Sequence, residues 1–180
     1  LLMGSLYIAW NYLLISYQKN RILTLFNPES DPLGSGYHII QSKIAIGSGG
    51  LTGKGLNNGS QSQLDFVPEQ STDFIFSVLA EEMGFLGFIL LITIYSLIIY
   101  RCFSLSLRCE DNFSRLLGSS LTFVFFTYVF VNIGMVSGLV PVVGVPLPLI
   151  SYGGSSLITL MASFGIIMSI HKHKSPRYLQ

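Results

Sequence analysis

Charge is what this sequence has least of. Only 11% of its 180 residues are Asp, Glu, Lys or Arg, against roughly 25% in soluble domains, while half are hydrophobic and the mean hydropathy is +0.58. A water-soluble globule is thereby excluded, and the chain belongs in a bilayer. From Leu116 to Ile170, 55 consecutive residues carry no charged side chain. One spanning helix needs about 20 apolar residues, so this run holds two spans and something between them. Cysteine is also scarce. Cys102 and Cys109 stand seven apart beside arginines, without the close Cys/His grouping that zinc requires, so they read as unpaired thiols. No methionine with a basic flank and cleavage site precedes Leu1, so neither a signal peptide nor a start is visible. The chain reads as truncated at its N-terminus.

The few charges present are sorted along the chain. Seven of the nine acids fall between Glu29 and Glu82, and most of the basic residues lie outside that window. Residues 1–17 are apolar, with Trp10, Tyr12 and Tyr17 toward one end, and are expected to be a span or its remainder. Residues 18–72 are polar and rich in glycine and proline, and are expected to form a large extracytoplasmic loop. Apolar character resumes over 73–100. The connector 101–115 carries Arg101, Arg108 and Arg115, and short loops rich in Arg and Lys stay cytoplasmic. Spans are expected over 116–137 and 154–170, followed by a basic cytoplasmic tail, 171–180. Two cytoplasmic ends force 18–72 and 138–153 to the outer face. Lys19 and Arg21 break the positive-inside rule there, either as ligands for a phosphate at the membrane surface or by interfacial snorkelling.

Three segments could carry chemistry. Gly47 to Gly55 resembles a nucleotide loop only superficially, because a Walker pattern would need glycine where Ser48 stands and Ser or Thr where Gly55 stands. Six glycines in 47–59 offer either backbone N–H groups close to an oxyanion or a flexible surface. In the second segment, Ser71 or Thr72 can cap the helix that follows. Asp73 in its first turn would meet the positive end of the dipole. The residues alone leave Asp73 divided between a helix-start residue and a functional group. Ser77 and Glu81, at i+4 and i+8, extend a polar face beneath it, with Glu81 roughly 12 Å along the helix. An ionisable group at such depth is a functional candidate. Glu82 lies about 180° round, so one of the two glutamates is expected to hold structure with a partner not evident in the sequence. The third segment, 138–153, contains Pro141, Pro146 and Pro148, too apolar for a water-borne loop and too broken for a helix. It is expected to dip into the membrane or pack on the outer face, where irregular backbone must be satisfied by protein or a cavity. Asn132 is a candidate partner for it, or else interhelical glue.

Taken in order, Asn27 to Pro32, Gly36-Tyr37-His38 through Gly50, Pro68-Glu69 with Thr72 to Phe76, Val131 to Gly134, and Pro146 to Ser156 resemble the SEDS glycosyltransferases. Asp31 to Lys43 and Gly134 to Gly138 are more similar to the elongation branch, RodA, than to the division branch, FtsW. The resemblance implies an all-α, polytopic membrane protein of the bacterial inner membrane. About four transmembrane helices would lie here, the last four of an expected ten. It implies polymerisation of lipid II into glycan strands for lateral wall elongation, with a class B penicillin-binding transpeptidase as partner and no nucleic acid. The isolated chain is expected to be inactive. Asp73 matches the family's essential aspartate and becomes the expected general base. Lys43, Lys19 and Arg21 are candidates to stabilise the pyrophosphate, with a divalent cation as the other source of charge. Gln63, Glu69, Ser77, Glu81 and Ser151 complete the candidate substrate-binding set. A lipid II flippase using Glu81 and 138–153, or a scaffold for a transpeptidase, are the competing readings.

Overall fold

A computed structural model describes residues 15–31, 34–56, 58–59 and 72–172. Its described elements are all helical: α1 (Ser16–Phe26), a 3-10 turn (Pro28–Ser30), α2 (Ser35–Ser48), α3 (Ile75–Leu107), α4 (Asn112–Ser137) and α5 (Gly154–Lys172). Three of them, α3, α4 and α5, are long and apolar enough to cross a membrane. Most of the first expected span, residues 1–14, lies outside the described residues, as do Gln63, Glu69 and Ser71. Two departures from the sequence reading stand out. The stretch expected as loop from residue 18 contains α1 and α2, and α3 continues past Tyr100 to Leu107, shrinking the connector to 108–111.

That connector is set by the start of α4. Asp111 caps it, its carboxylate accepting the Ser114 backbone N–H at 2.9 Å and the Ser114 hydroxyl at 3.1 Å. The backbone bond, then the hydroxyl, hold the Asp111 carboxyl below the usual range, so the cap is present at neutral pH and is lost only as pH falls through that lowered value. At the other end Gly138 adopts the left-handed conformation (φ 72°) and closes α4 by donating its N–H to the last-turn carbonyls.

The core forms where α3 and α4 pack on each other and on α2. Phe76, Leu91 and Tyr95 of α3 meet Phe125, Val129, Met135 and Val136 of α4 and Ile39 and Ala45 of α2. The Phe125 ring lies edge-on to both Tyr95, at 6.0 Å, and Phe164 of α5, at 5.3 Å. One aromatic thus links all three long helices. The Ser42 hydroxyl of α2 donates to Val136 O at 2.9 Å. The outward faces of α3, α4 and α5 are lined by exposed Leu, Ile, Phe and Met, as a bilayer permits.

α3 is not continuous. Gly84 has φ 64° and ψ −158° inside it, a conformation that only glycine adopts without strain. From Phe85 to Leu107 the helix is roughly 35 Å long, enough for one crossing; Ile75–Met83 is a separate stub. The break strands carbonyls and N–H groups in an apolar setting, and the glycine-rich loop after α2 takes them up. Lys54 N and Gly55 N donate to Glu81 O and Glu82 O at 3.1 and 3.0 Å, and Phe85 N and Leu86 N donate to Gly50 O and Leu51 O at 2.9 and 3.2 Å. Such contact requires bare backbone. A Cβ on Gly84 would lie 2.3 Å from Gly53 N, and one on Gly53 2.0 Å from Glu82 O. The glycines of this loop therefore serve backbone pairing to α3. Substituting Gly84→Ala should combine the backbone strain with this clash. The expected loss is about 2 kcal/mol or more, read as a lowered midpoint of thermal unfolding in detergent.

Candidate active site

The chain from Gly138 to Gly153 has no helix over Pro141–Leu147. Three of its residues are prolines and lack an N–H, so its carbonyls cannot be absorbed by a regular ladder. Side chains from three helices take them instead. Arg21 of α1 donates through Nη1 to Val142 O at 2.5 Å. Asn132 of α4 donates through Nδ2 to Val145 O at 2.6 Å. Tyr95 of α3 donates to Pro148 O at 2.6 Å. Val142 and Leu147 are buried beneath the strip, which makes it a seated platform.

Asp73 meets this platform from the other side. It lies in the turn before α3, half-buried. A Cβ built on Gly144 (φ 77°) would stand 3.2 Å from Asp73 Oδ2, so the carboxylate lies directly against bare backbone. The Asp73 carbonyl accepts the Asn132 Nδ2 at 2.9 Å. Thr72 O accepts the Ser151 hydroxyl at 2.5 Å, and that hydroxyl in turn accepts Leu147 N at 2.7 Å. The N-cap position of α3 is Phe74, without a side-chain cap. The backbone of the turn is secured by the platform at Thr72 and Asp73 and by Ser77 of α3 at Phe74.

The cations expected near Asp73 divide into two kinds. Arg21, besides Val142 O, contacts the Tyr17 hydroxyl and lies 4.4 Å from the centre of the Tyr17 ring. Val142 is two residues from Gly144, roughly 7 Å of chain at most, so guanidinium and carboxylate share one short strip. Lys43 of α2 lies against the C-cap of α4, before the strip begins, its Nζ 2.6 Å from where a Cβ on Gly138 would be. Lys19 is two places from Arg21 on α1, about 200° round the helix, and so points away from the strip that Arg21 holds. A cavity of about 600 Å³ opens beside Arg21, lined also by Tyr17, Asn20, Thr24 and Asp31.

Three of the candidate substrate ligands also bond within the protein. Ser77 is buried and its hydroxyl donates to Phe74 O at 2.7 Å. Ser151 uses its hydroxyl both as donor and as acceptor on backbone. Glu81 is wholly buried, 2.7 Å from Lys54 Nζ and 3.3 Å from the Ser48 hydroxyl. Sequence reasoning left the partner of the buried glutamate unnamed, and it is Lys54, from the loop that also pairs with the break at Gly84. Asn132 proves to be a partner of the irregular segment, and it reaches Asp73 as well. Among the described residues no three His, Cys, Asp or Glu side chains group as a metal site, and neither cysteine is in a disulfide.

Comparison with known proteins decides the family. The family model described as "Cell cycle protein", for FtsW, RodA and SpoVE, matches residues 1–176. The chain belongs to the FtsW/RodA/SpoVE family. It is 60% identical over 167 residues to the peptidoglycan glycosyltransferase MrdB of Escherichia coli K12, covering 93% of this chain and 45% of that protein. It is 47% identical over 155 residues to the peptidoglycan glycosyltransferase RodA of Treponema pallidum, covering 86% of this chain and 36% of the other. A solved structure described as "Structural coordination of polymerization and crosslinking by a peptidoglycan synthase complex" superposes with a TM-score of 0.70 at 36% identity, over 99% of this chain and 50% of the other. The chain thus spans less than half the length of these curated relatives. The SEDS resemblance seen in the motifs, on its RodA side, is correct. As a member of the FtsW/RodA/SpoVE family, the chain is an all-α, multi-pass protein of the bacterial inner membrane.

The Glu81–Lys54 pair is the member of this arrangement most exposed to a direct stability test. Lys54→Ala deprives a wholly buried carboxylate of its ammonium. Because Lys54 itself keeps 29% of its surface exposed, the expected cost is at the lower end for broken buried pairs, about 3 kcal/mol. Glu81→Gln removes the buried charge itself and should cost less. Thermal unfolding of the two variants in detergent, side by side, checks the order.

Proposed function

We propose that this chain carries the catalytic centre of a peptidoglycan glycosyltransferase that polymerises lipid II into glycan strands for lateral wall elongation. A class B penicillin-binding transpeptidase would be its partner. The observation that carries the reading is the placing of the Asp73 carboxylate against Gly144, on the short strip whose Val142 carbonyl holds Arg21. The relatives are named for the activity, and the superposable structure is of a peptidoglycan synthase complex.

The chemistry needs an anion and cations a few ångströms apart. A sugar hydroxyl of one lipid II attacks the anomeric carbon of a glycan held on a lipid pyrophosphate. A carbon–oxygen bond forms as the bond to the pyrophosphate oxygen breaks, and that oxygen leaves with the electron pair. The hydroxyl proton goes to Asp73. The departing pyrophosphate needs charge stabilisation more than protonation, and Arg21 on the strip and Lys43 at the end of α4 that leads into it are the cations that supply it. A guanidinium has five N–H donors, so contacts to Val142 O and Tyr17 leave capacity for phosphate oxygens.

The helix directions support an outer-face site. Arg101, Arg108 and Arg115 cluster around the α3–α4 connection, and Lys172 ends α5. Counting crossings from those ends under the positive-inside rule supports an outer-side position for Asp73 and the strip, the side on which lipid-linked sugars would be polymerised. The transporter alternative uses Glu81 and the broken 138–153 segment as a midplane site. Glu81 held by Lys54 and Ser48, and a strip pinned at three carbonyls, suit a fixed platform better.

The test uses the full-length protein with lipid II. Asp73→Ala and Asp73→Asn are expected to lower polymer formation by ~10²-fold or more, with lipid II still bound. Polymer at the wild-type rate from either variant would overturn the assignment. Movement of lipid II across liposomes with no polymer from the wild type would replace it with transport.

A further inference from the structure

The position of Asp73 depends on two residues to which the proposed chemistry gives no part. We infer that Asn132 and Ser151 are positioning residues, which hold the two peptide groups flanking Asp73 and thereby aim its carboxylate along the backbone of Gly144. This inference rests on the reading of Asp73 as the base.

A side chain leaves the backbone in a direction fixed by the two planar peptide groups on either side of its Cα. Anchoring both planes therefore fixes where Cβ points. The carbonyl of the plane before Asp73 is Thr72 O, held by the Ser151 hydroxyl at 2.5 Å. The carbonyl of the plane after it is Asp73 O, held by Asn132 Nδ2 at 2.9 Å. Each anchor is tied at the same time to the platform. Asn132 gives its second N–H to Val145 O, next to Gly144, and Ser151 accepts Leu147 N. The turn and the strip facing it are thus held by the same two side chains, so the carboxylate and its surroundings are set as one unit.

Two details show that this is not general packing. An amide has only two N–H donors, and Asn132 commits its Nδ2 to two carbonyls from different segments. Its Oδ1, wholly buried, finds no donor among the described residues. An orphaned buried acceptor is unfavourable, and it is tolerated here in the orientation that points both donors at the site. Moreover, the carboxylate lies directly against the strip. At Gly144 even a methyl group would come within 3.2 Å of Asp73 Oδ2. Ser151, expected from the sequence to touch substrate, has its hydroxyl bonded to backbone on both sides and acts through Asp73 instead.

The experiment measures kcat and KM for lipid II polymerisation by the full-length protein, with thermal unfolding as a check on folding. Ser151→Ala should lower kcat by ~10- to 100-fold, the scale expected when a reacting group is misplaced by about 1 Å. KM should stay within about twofold, since substrate contacts are retained. Ser151→Thr, which restores the hydroxyl, should recover most of the rate. Asn132→Asp should abolish it, by turning a carboxylate toward two carbonyls. If Asn132→Asp does not fold, the Ser151 pair decides alone. A full rate from Ser151→Ala, or a raised KM at unchanged kcat, overturns the inference. Asp73→Ala run in parallel separates the two claims. If it is inactive while Ser151→Ala is fully active, only the positioning role fails; if Asp73→Ala polymerises normally, the reading of the base fails with it.

Discussion

The structure depends on how an unpaired backbone carbonyl is satisfied where no regular ladder is at hand. Between α4 and α5 the chain must pass through a stretch that three prolines keep out of any helix. Each polar group buried there without a partner would cost about 1–3 kcal/mol. The answer is to bring Arg21, Asn132 and Tyr95 to its carbonyls from three different helices. The strip becomes rigid as a consequence, and a rigid strip is a surface on which a carboxylate and a guanidinium can be placed relative to each other. The demand for satisfied backbone and the demand for a preorganised site are met by the same bonds.

The break in α3 poses the same problem and reaches a different solution. There the stranded groups pair with backbone of the loop after α2, and Glu81 with Lys54 adds an ion pair beside the join. The join lies two turns or more below Asp73 and fixes the stub from Ile75 to Met83 on which the aspartate's turn is mounted. Strip and join together hold the stub from both ends, which is what a group acting as base in a fixed geometry requires.

Much of this was legible in the sequence, and the limits have physical causes. The long apolar helices were legible because hydropathy is a property of composition, and the strip because prolines cannot hide in a helix. Asp73 stood out because an acid at the head of an apolar run is conspicuous. The break at Gly84 was not legible: a single glycine inside a membrane helix is commonplace, and its positive φ follows from a loop some thirty residues earlier. The partner of Glu81 was hidden for the same reason, since Lys54 is 27 positions away and no local period connects them. The backbone partners of Ser151 and Ser77 were not legible, because a hydroxyl's partners are invisible in sequence. Arg21 stood out as an exception to the positive-inside rule, but only the structure shows it gripping Val142.

The account's central claim is that the Asp73 carboxylate, held where it is, accepts the proton of the attacking hydroxyl. Chemical rescue tests this most directly. In full-length protein carrying Asp73→Ala, the cavity left by the carboxylate should admit a small external base. Formate is then expected to restore lipid II polymerisation in a concentration-dependent manner, with no effect on the wild type. A folded variant that binds lipid II and stays silent at every formate concentration, or one that polymerises at the wild-type rate without it, would contradict the account.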